Sequence, residues 1–182
     1  MKENQGGWQL RGDHVYDQFK IFEARRSTRV NPRTGRPFDF FLMRGLDWVN
    51  VIPLTPENEV VLVRQYRHGA EVWSLEIPGG CIETGEDPAV SGQRELLEET
   101  GFTPATIEPL GVIHANPAMM TMQLHTFLAH GCVRTASPAL DPGEDIEVIL
   151  KPLPEVLTMV RRGEISHALV VAAFGLLSLR GI

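Results

Sequence analysis

The sequence predicts an α+β domain layered around a mixed sheet, preceded by a small N-terminal antiparallel β-sheet. Three observations carry this. Segments with strand character and segments with helix character are interspersed, without the strict alternation of a parallel βαβ array. The 182 residues, 43% hydrophobic and 22% charged, are enough for one domain with a sizeable core and a small accessory piece. Residues 1–45 differ from the rest of the chain, being rich in basic and poor in apolar side chains, so they are assigned to an accessory β region and 46–182 to the main domain.

In chain order, Arg25, Arg26, Arg29, Arg33 and Arg36 surround the turn-forming run Asn31-Pro32-Arg33-Thr34-Gly35, between expected strands at 18–30 and 38–43. Such a hairpin or small sheet is too small to stand alone, so its edge and Phe40-Phe41 are expected to pack on the main domain or on a second copy of the chain. Strands at 48–54 and 60–66 flank Thr55-Pro56-Glu57-Asn58, a hairpin signal. Residues 72–77 form a short strand running into Pro78-Gly79-Gly80, where small residues permit close approach of a ligand or ion. After a helix at about 87–100, strands are expected at 106–114, 121–130 and 147–150. Helices from Pro154 to about 162 and from about 167 to 179 complete the chain.

Composition excludes several classes. A net charge of −6 argues against a general nucleic-acid binder. Two cysteines, Cys81 and Cys132, give neither a disulfide framework nor metal-type spacing, and a cytoplasmic setting is expected. No signal-peptide-like start and no membrane-length apolar run are present, so no membrane partner is expected.

The densest chemistry lies in residues 80–102, GCIETGEDPAVSGQRELLEETGF. Asp87 followed by Pro88 reads as an N-cap with proline in the first turn, and Gly101 as a left-handed C-terminal stop. At about 100° per residue, Ala89, Val90, Leu96 and Leu97 share one side of the helix, and Glu95, Glu98 and Glu99 the other. Like charges three and four apart repel, and acidic groups in a last turn oppose the helix dipole. A cation therefore belongs among them; oxygen donors without His or thiolate suit Mg²⁺ or Mn²⁺.

The spacing of Gly80, five residues, Glu86, seven residues, Arg94-Glu95-Leu96, one residue, Glu98-Glu99, one residue, Gly101-Phe102 resembles the Nudix box at every fixed position. The resemblance implies the α/β/α sandwich of the Nudix hydrolases over about 46–182, and hydrolysis of a nucleoside diphosphate linked to another group. It implies Glu95 and Glu99 as metal ligands, Glu98 as a ligand or near-ligand, and the main-chain carbonyl of Gly79 as a further ligand. Arg94 and Glu86 would hold the loop and helix together through an ion pair, with Gly80 and Gly101 as structural glycines of the box. Glu144, in Gly143-Glu144-Asp145-Ile146-Glu147-Val148, resembles the acidic loop from which ADP-ribose and GDP-mannose hydrolases draw a base or extra ligand; Glu98 is the rival for the base.

Pro117, sixteen residues beyond Gly101, resembles the downstream proline of the ADP-ribose pyrophosphatase branch, as do 63–67 (VRQYR), 75–80 (LEIPGG) and an accessory sheet used in dimerisation. The implied reaction is Mg²⁺-dependent hydrolysis of a nucleotide sugar, ADP-ribose to AMP and ribose 5-phosphate, by a homodimer. GDP-mannose or a broad sugar-nucleotide preference is the alternative, and an ADP-ribose-binding regulator without catalysis is a reading from another class. Arg67 and Arg44 are candidates for phosphate or ribose, and Trp48 or Trp73 for stacking on a base, although tryptophan in a strand pattern more often serves a core.

Overall fold

In the computed structural model, residues 7–181 are described; residues 1–6 of the accessory region and Ile182 lie outside them. The chain divides into two compact units, one formed by the chain up to Leu46 with His114–Gln123, the other by Asp47–Ile113 with Leu124–Ile182.

The first unit is a three-stranded antiparallel sheet, β1 (Gln9–Gln18), β2 (Phe22–Val30) and β3 (Pro37–Gly45), with β2 central. β1 is not expected from the sequence, which lacks a clean apolar alternation there; its register with β2 shifts between Leu10 and Gly12 and again between Val15 and Asp17. β2 and β3 pair without a slip from Phe22↔Gly45 to Val30↔Pro37. The turn between them is the one its residues specify: the Asn31 side-chain oxygen accepts from the N–H groups of Arg33 and Thr34, and Gly35 takes φ 66°. Residues 114–123, which the sequence assigns to the main domain, cluster here; the Met43 N–H donates to Met119 O at 2.7 Å and the Thr121 N–H to Met43 O at 3.0 Å. Phe41 is 66% exposed, its ring edge-on to Tyr16 at 6.5 Å.

In the second unit β4 (Trp48–Pro53) lies between β7 (Gly79–Cys81), antiparallel to it, and β10 (Gln123–His130), parallel to it; β9 (Thr106–His114) flanks β10. β5 (Glu59–Arg67) is the centre of a second, antiparallel sheet between β6 (Val72–Glu76) and β12 (Ile146–Pro152). A two-stranded piece, β8 (Phe102–Thr103) with β11 (Val133–Arg134), and the helices α1 (Pro88–Thr100), α2 (Leu153–Arg162) and α3 (Ala168–Leu179) complete the unit. The mixed sheets and three helices are the α+β layering expected. The 55–58 turn forms, with Asn58 at φ 60°, but β4 and β5 part into different sheets, with an isolated Leu54↔Val60 bridge beside the turn.

β4 is buried on both faces, so its side chains sort by parity. Val49 and Val51 join Leu96 of α1, Phe127 and Phe102 in one core; Ile52 joins Leu128, Val156, Phe174 and Leu177 in the other, toward α2 and α3. Burying apolar side chains in both layers is worth about 25 cal/mol per Å² removed from water.

Candidate active site

The site grows from α1. Asp87 caps it, its carboxylate accepting from the N–H groups of Ala89 at 2.9 Å and Val90 at 3.3 Å, with Pro88 in the first turn. Gly101 ends it at φ 76°, donating to Leu97 O; any Cβ there would lie 2.2 Å from Ala136 O, so glycine is required twice over.

The buried side of the helix differs from the expected one. Val90 is 56% exposed and Leu97 is also exposed, whereas Ser91, Gly92, Leu96, Glu99 and Thr100 are buried. The reason is Gly92, where an added Cβ would come within 2.9 Å of Val51 Cγ2 and 3.2 Å of Val49 Cγ2. The missing side chain lets helix and sheet approach closely, and the stripe 92-96-99 turns inward with it. Glu99, expected with Glu95 and Glu98 on the side opposite Leu96, is therefore only 4% exposed.

That burial shapes its chemistry. Desolvation first, then the charges of Glu95 and Glu144, push the Glu99 carboxyl up to about 8, against the opposing hydrogen bond from the Gly79 N–H at 3.0 Å and the charge of Arg67. Glu95 is raised in the same way, by burial above all, with the Arg94 hydrogen bond and charge opposing. Its carboxylate lies where a Cβ on Gly80 would sit, 2.6 Å from Oε1.

Arg94 gathers the loop and helix. Its Nε and Nη2 donate to the two oxygens of Glu86 at 3.0 Å each, its Nη1 to Glu95 at 2.8 Å and Glu98 at 3.0 Å, and its Nη2 also to Ser91 Oγ and Cys81 O. The fork of hydrogen bonds from Arg94 pulls the Glu86 carboxyl down to about 2. Glu98 stays half exposed.

Glu144 sits on an exposed turn, its N–H donating to Asp141 O and its own carboxylate accepting from the Asp141 N–H, both at 2.9 Å. Its charge reaches Glu95, Glu99 and Arg67, so the structure brings this turn to the same electrostatic neighbourhood. Arg67, at the end of β5, is held by Glu76 of β6, its Nε and Nη2 donating to the two carboxylate oxygens at 2.7 and 2.6 Å. Sequence reasoning missed Glu76; the available signal was a lone acid at an inward position of a strand beside Pro78-Gly79-Gly80. Trp48 is half-buried at the start of β4, opposite Cys81. Trp73 is not a core residue but 51% exposed, with the Arg64 guanidinium 4.8 Å above its ring. Arg44 and Pro117 belong to the first unit.

Among the described residues no three His, Cys, Asp or Glu side chains form a preassembled metal cage. Arg94 engages Glu95 and Glu98, and the Gly79 amide engages Glu99. The donor set nonetheless fits a hard divalent cation: it is all oxygen, two of its carboxylates have burial working against their charge, and the glycine beneath Glu95 leaves the approach clear.

Residues 47–174 match the family described as "NUDIX domain". The chain is similar to "Methanol dehydrogenase activator" of Bacillus methanolicus and to "ADP-ribose pyrophosphatase" of Bacillus subtilis (strain 168), at 36% and 32% identity over 133 residues, covering 72% of this chain and 72% of each relative. The crystal structure of an "ADP compounds hydrolase" superimposes with a TM-score of 0.85 at 20% identity, covering 97% of this chain and 96% of that one, a likeness of fold.

Proposed function

The chain belongs to the NUDIX family of hydrolases, and from that premise we propose that it cleaves the pyrophosphate linkage of a nucleoside diphosphate sugar, converting ADP-ribose to AMP and ribose 5-phosphate. The observation that carries the reading is the placing of Glu95 against Gly80 and of Glu99 against Gly79, with Glu99 within the electrostatic reach of Arg67.

Glu95, Glu99 and the Gly79 carbonyl would hold Mg²⁺ (or Mn²⁺), with Glu98 and Glu144 as further oxygen donors. Bound there, the ion would neutralise phosphate charge and acidify a water. The chain's own residues supply the rest. Glu86 and Arg94 fix the loop to the helix, so that Glu95 is presented against Gly80. Arg67 offers N–H donors to a phosphate or ribose oxygen. Glu144, on its short turn, takes the proton of the attacking water, with Glu98 as the rival for that role. Trp48 stacks on the base.

The first unit, with its exposed Tyr16, Phe19 and Phe41, is proposed as the interface of a homodimer. Two free thiols fit a cytoplasmic setting. Among the described residues no helix is long and apolar enough to cross a membrane.

The deciding experiment offers ADP-ribose, ADP-glucose, GDP-mannose, dinucleoside polyphosphates and nucleoside triphosphates with Mg²⁺ and resolves the products chromatographically. ADP-ribose should be turned over with the highest kcat/KM and yield AMP. Preference for GDP-mannose would replace the substrate, and preference for triphosphates would remove the nucleotide-sugar reading.

A further inference from the structure

Glu76 neither belongs to the cation's donor set nor touches the reacting groups, yet it is a carboxylate with a side chain only 3% exposed. Burying such a charge is costly unless it is paired and hydrogen-bonded. It is paired by the two-pronged bond from Arg67. Burial alone would raise the Glu76 carboxyl, and the hydrogen bonds and charge of Arg67 more than reverse this, so it is held below its usual range as the anion. Near it lies His167, the residue that precedes α3, with Nε2 3.9 Å from Glu76 Oε2 and a buried Nδ1 that has no hydrogen-bond partner. The ring makes no cap for α3, and its Nε2 is directed to the carboxylate.

The pairing leaves Arg67 unevenly used. A guanidinium has five N–H donors; two are committed to Glu76, and three remain on a side chain that is partly exposed. Those donors lie in the fields of Glu99 and Glu144, both of which act on Arg67. A free arginine there has an obvious competing partner in these carboxylates. It would fold onto Glu99 or Glu144 and occupy the oxygens a cation needs.

We infer that Glu76 is a positioning residue: it holds Arg67 in a fixed fork that faces the substrate phosphates and keeps that guanidinium off the carboxylates of Glu99 and Glu144. The inference rests on the reading of the site as a nucleotide-sugar hydrolase and assigns Glu76 two separable effects, on substrate affinity and on metal requirement.

The test measures steady-state hydrolysis of ADP-ribose by the full chain as a function of substrate and Mg²⁺, for wild type, Glu76→Gln, Arg67→Ala, the double variant and Arg67→Lys. Loss of a charged hydrogen-bonded pair predicts that Glu76→Gln raises KM about 10- to 100-fold. It should also weaken Mg²⁺ binding to the substrate-free protein by at least about threefold in a calorimetric titration, and raise the Mg²⁺ concentration for half-maximal rate in parallel, because the released arginine competes for the same oxygens. In the Arg67→Ala background the same Glu76→Gln change should alter neither quantity by more than about twofold, which a merely structural role would not produce. Arg67→Lys, which keeps the charge and loses the fork at a partly exposed position, should reproduce the KM effect and reads the pair even if Glu76→Gln fails to fold. Equal losses in both backgrounds, or a KM and Mg²⁺ requirement within twofold of wild type in Glu76→Gln, or in Arg67→Lys where only that variant folds, overturn the inference while leaving the substrate reading intact. A wild-type protein that hydrolyses no nucleoside diphosphate sugar overturns the substrate reading, and this inference with it.

Discussion

The backbone N–H of Gly79 donates to Oε2 of Glu99 at 3.0 Å, across the gap between β7 and the last turn of α1. One amide thus supports the anionic form of a carboxylate that burial has pushed toward its neutral form. Replacing Glu99 by Gln removes the anion and keeps the shape. Activity with Mg²⁺ should fall at least about 100-fold, the loss expected when several kcal/mol of charge stabilisation go. The thermal midpoint in EDTA should not fall, because burial already favours the neutral carboxyl and the amide keeps an acceptor for the Gly79 N–H. Calorimetry beside a rate assay checks both.

Glu86 gives the acid-side prediction. Arg94 holds its carboxyl at about 2 against an ordinary 4.5, so the pair contributes stability that is fully present above about pH 4.5 and is lost as pH falls toward 2. Glu86→Gln should lower the midpoint at pH 7 by about 2–4 °C, the equivalent of roughly 1 kcal/mol in a chain of this size. The gap between wild type and variant should close across that acid window. A gap that stays constant down to pH 2 would remove the pair as its source.

Gly92 sets two effects against each other. Alanine would gain about 1 kcal/mol in helix propensity, but its Cβ must displace Val51, a stiff side chain that is fully buried. Overpacking of this kind costs about 1–3 kcal/mol. Gly92→Ala should therefore destabilise the chain by about 1 kcal/mol in urea unfolding, and Gly92→Val by more. A more stable alanine variant would refute the close approach of α1 to β4.

For the base, Glu144→Gln should lower kcat by about 10²–10⁴ with little change in KM. Glu98→Gln should cost less. The reverse order, measured at saturating Mg²⁺, would transfer the role to Glu98.

The proposed dimer is tested on its most exposed phenylalanine ring. Light scattering should return twice the chain mass for wild type, and Phe41→Asp should return a single chain at micromolar concentration. A monomeric wild type would remove the dimer.

What is legible in the sequence is what neighbouring residues decide among themselves. Asp87-Pro88 and Gly101 mark the ends of α1, and Asn31 and Gly35 their turn, because capping and left-handed backbone are local chemistry. The buried side of α1 is not legible in this way, since hydrophobicity favours Val90 and Leu97, while the deciding residue is a glycine whose importance depends on Val49 and Val51 some forty residues earlier. Glu76 escapes notice for a similar reason: its partner lies across a strand pair, and nothing in the run 72–76 reveals which strand will lie beside it. The parting of β4 from β5 into separate sheets is likewise set by the later strands β10 and β12, not by the turn that joins them.

Residues 114–123 bond to Met43 although about seventy residues of the other unit intervene. The two units are therefore interleaved along the reading frame, and neither can be inherited, exchanged or expressed as one uninterrupted stretch of gene. A shortened version beginning at residue 47 would carry that segment without the strand whose amide and carbonyl it answers, so trimming the front of this protein also alters its middle.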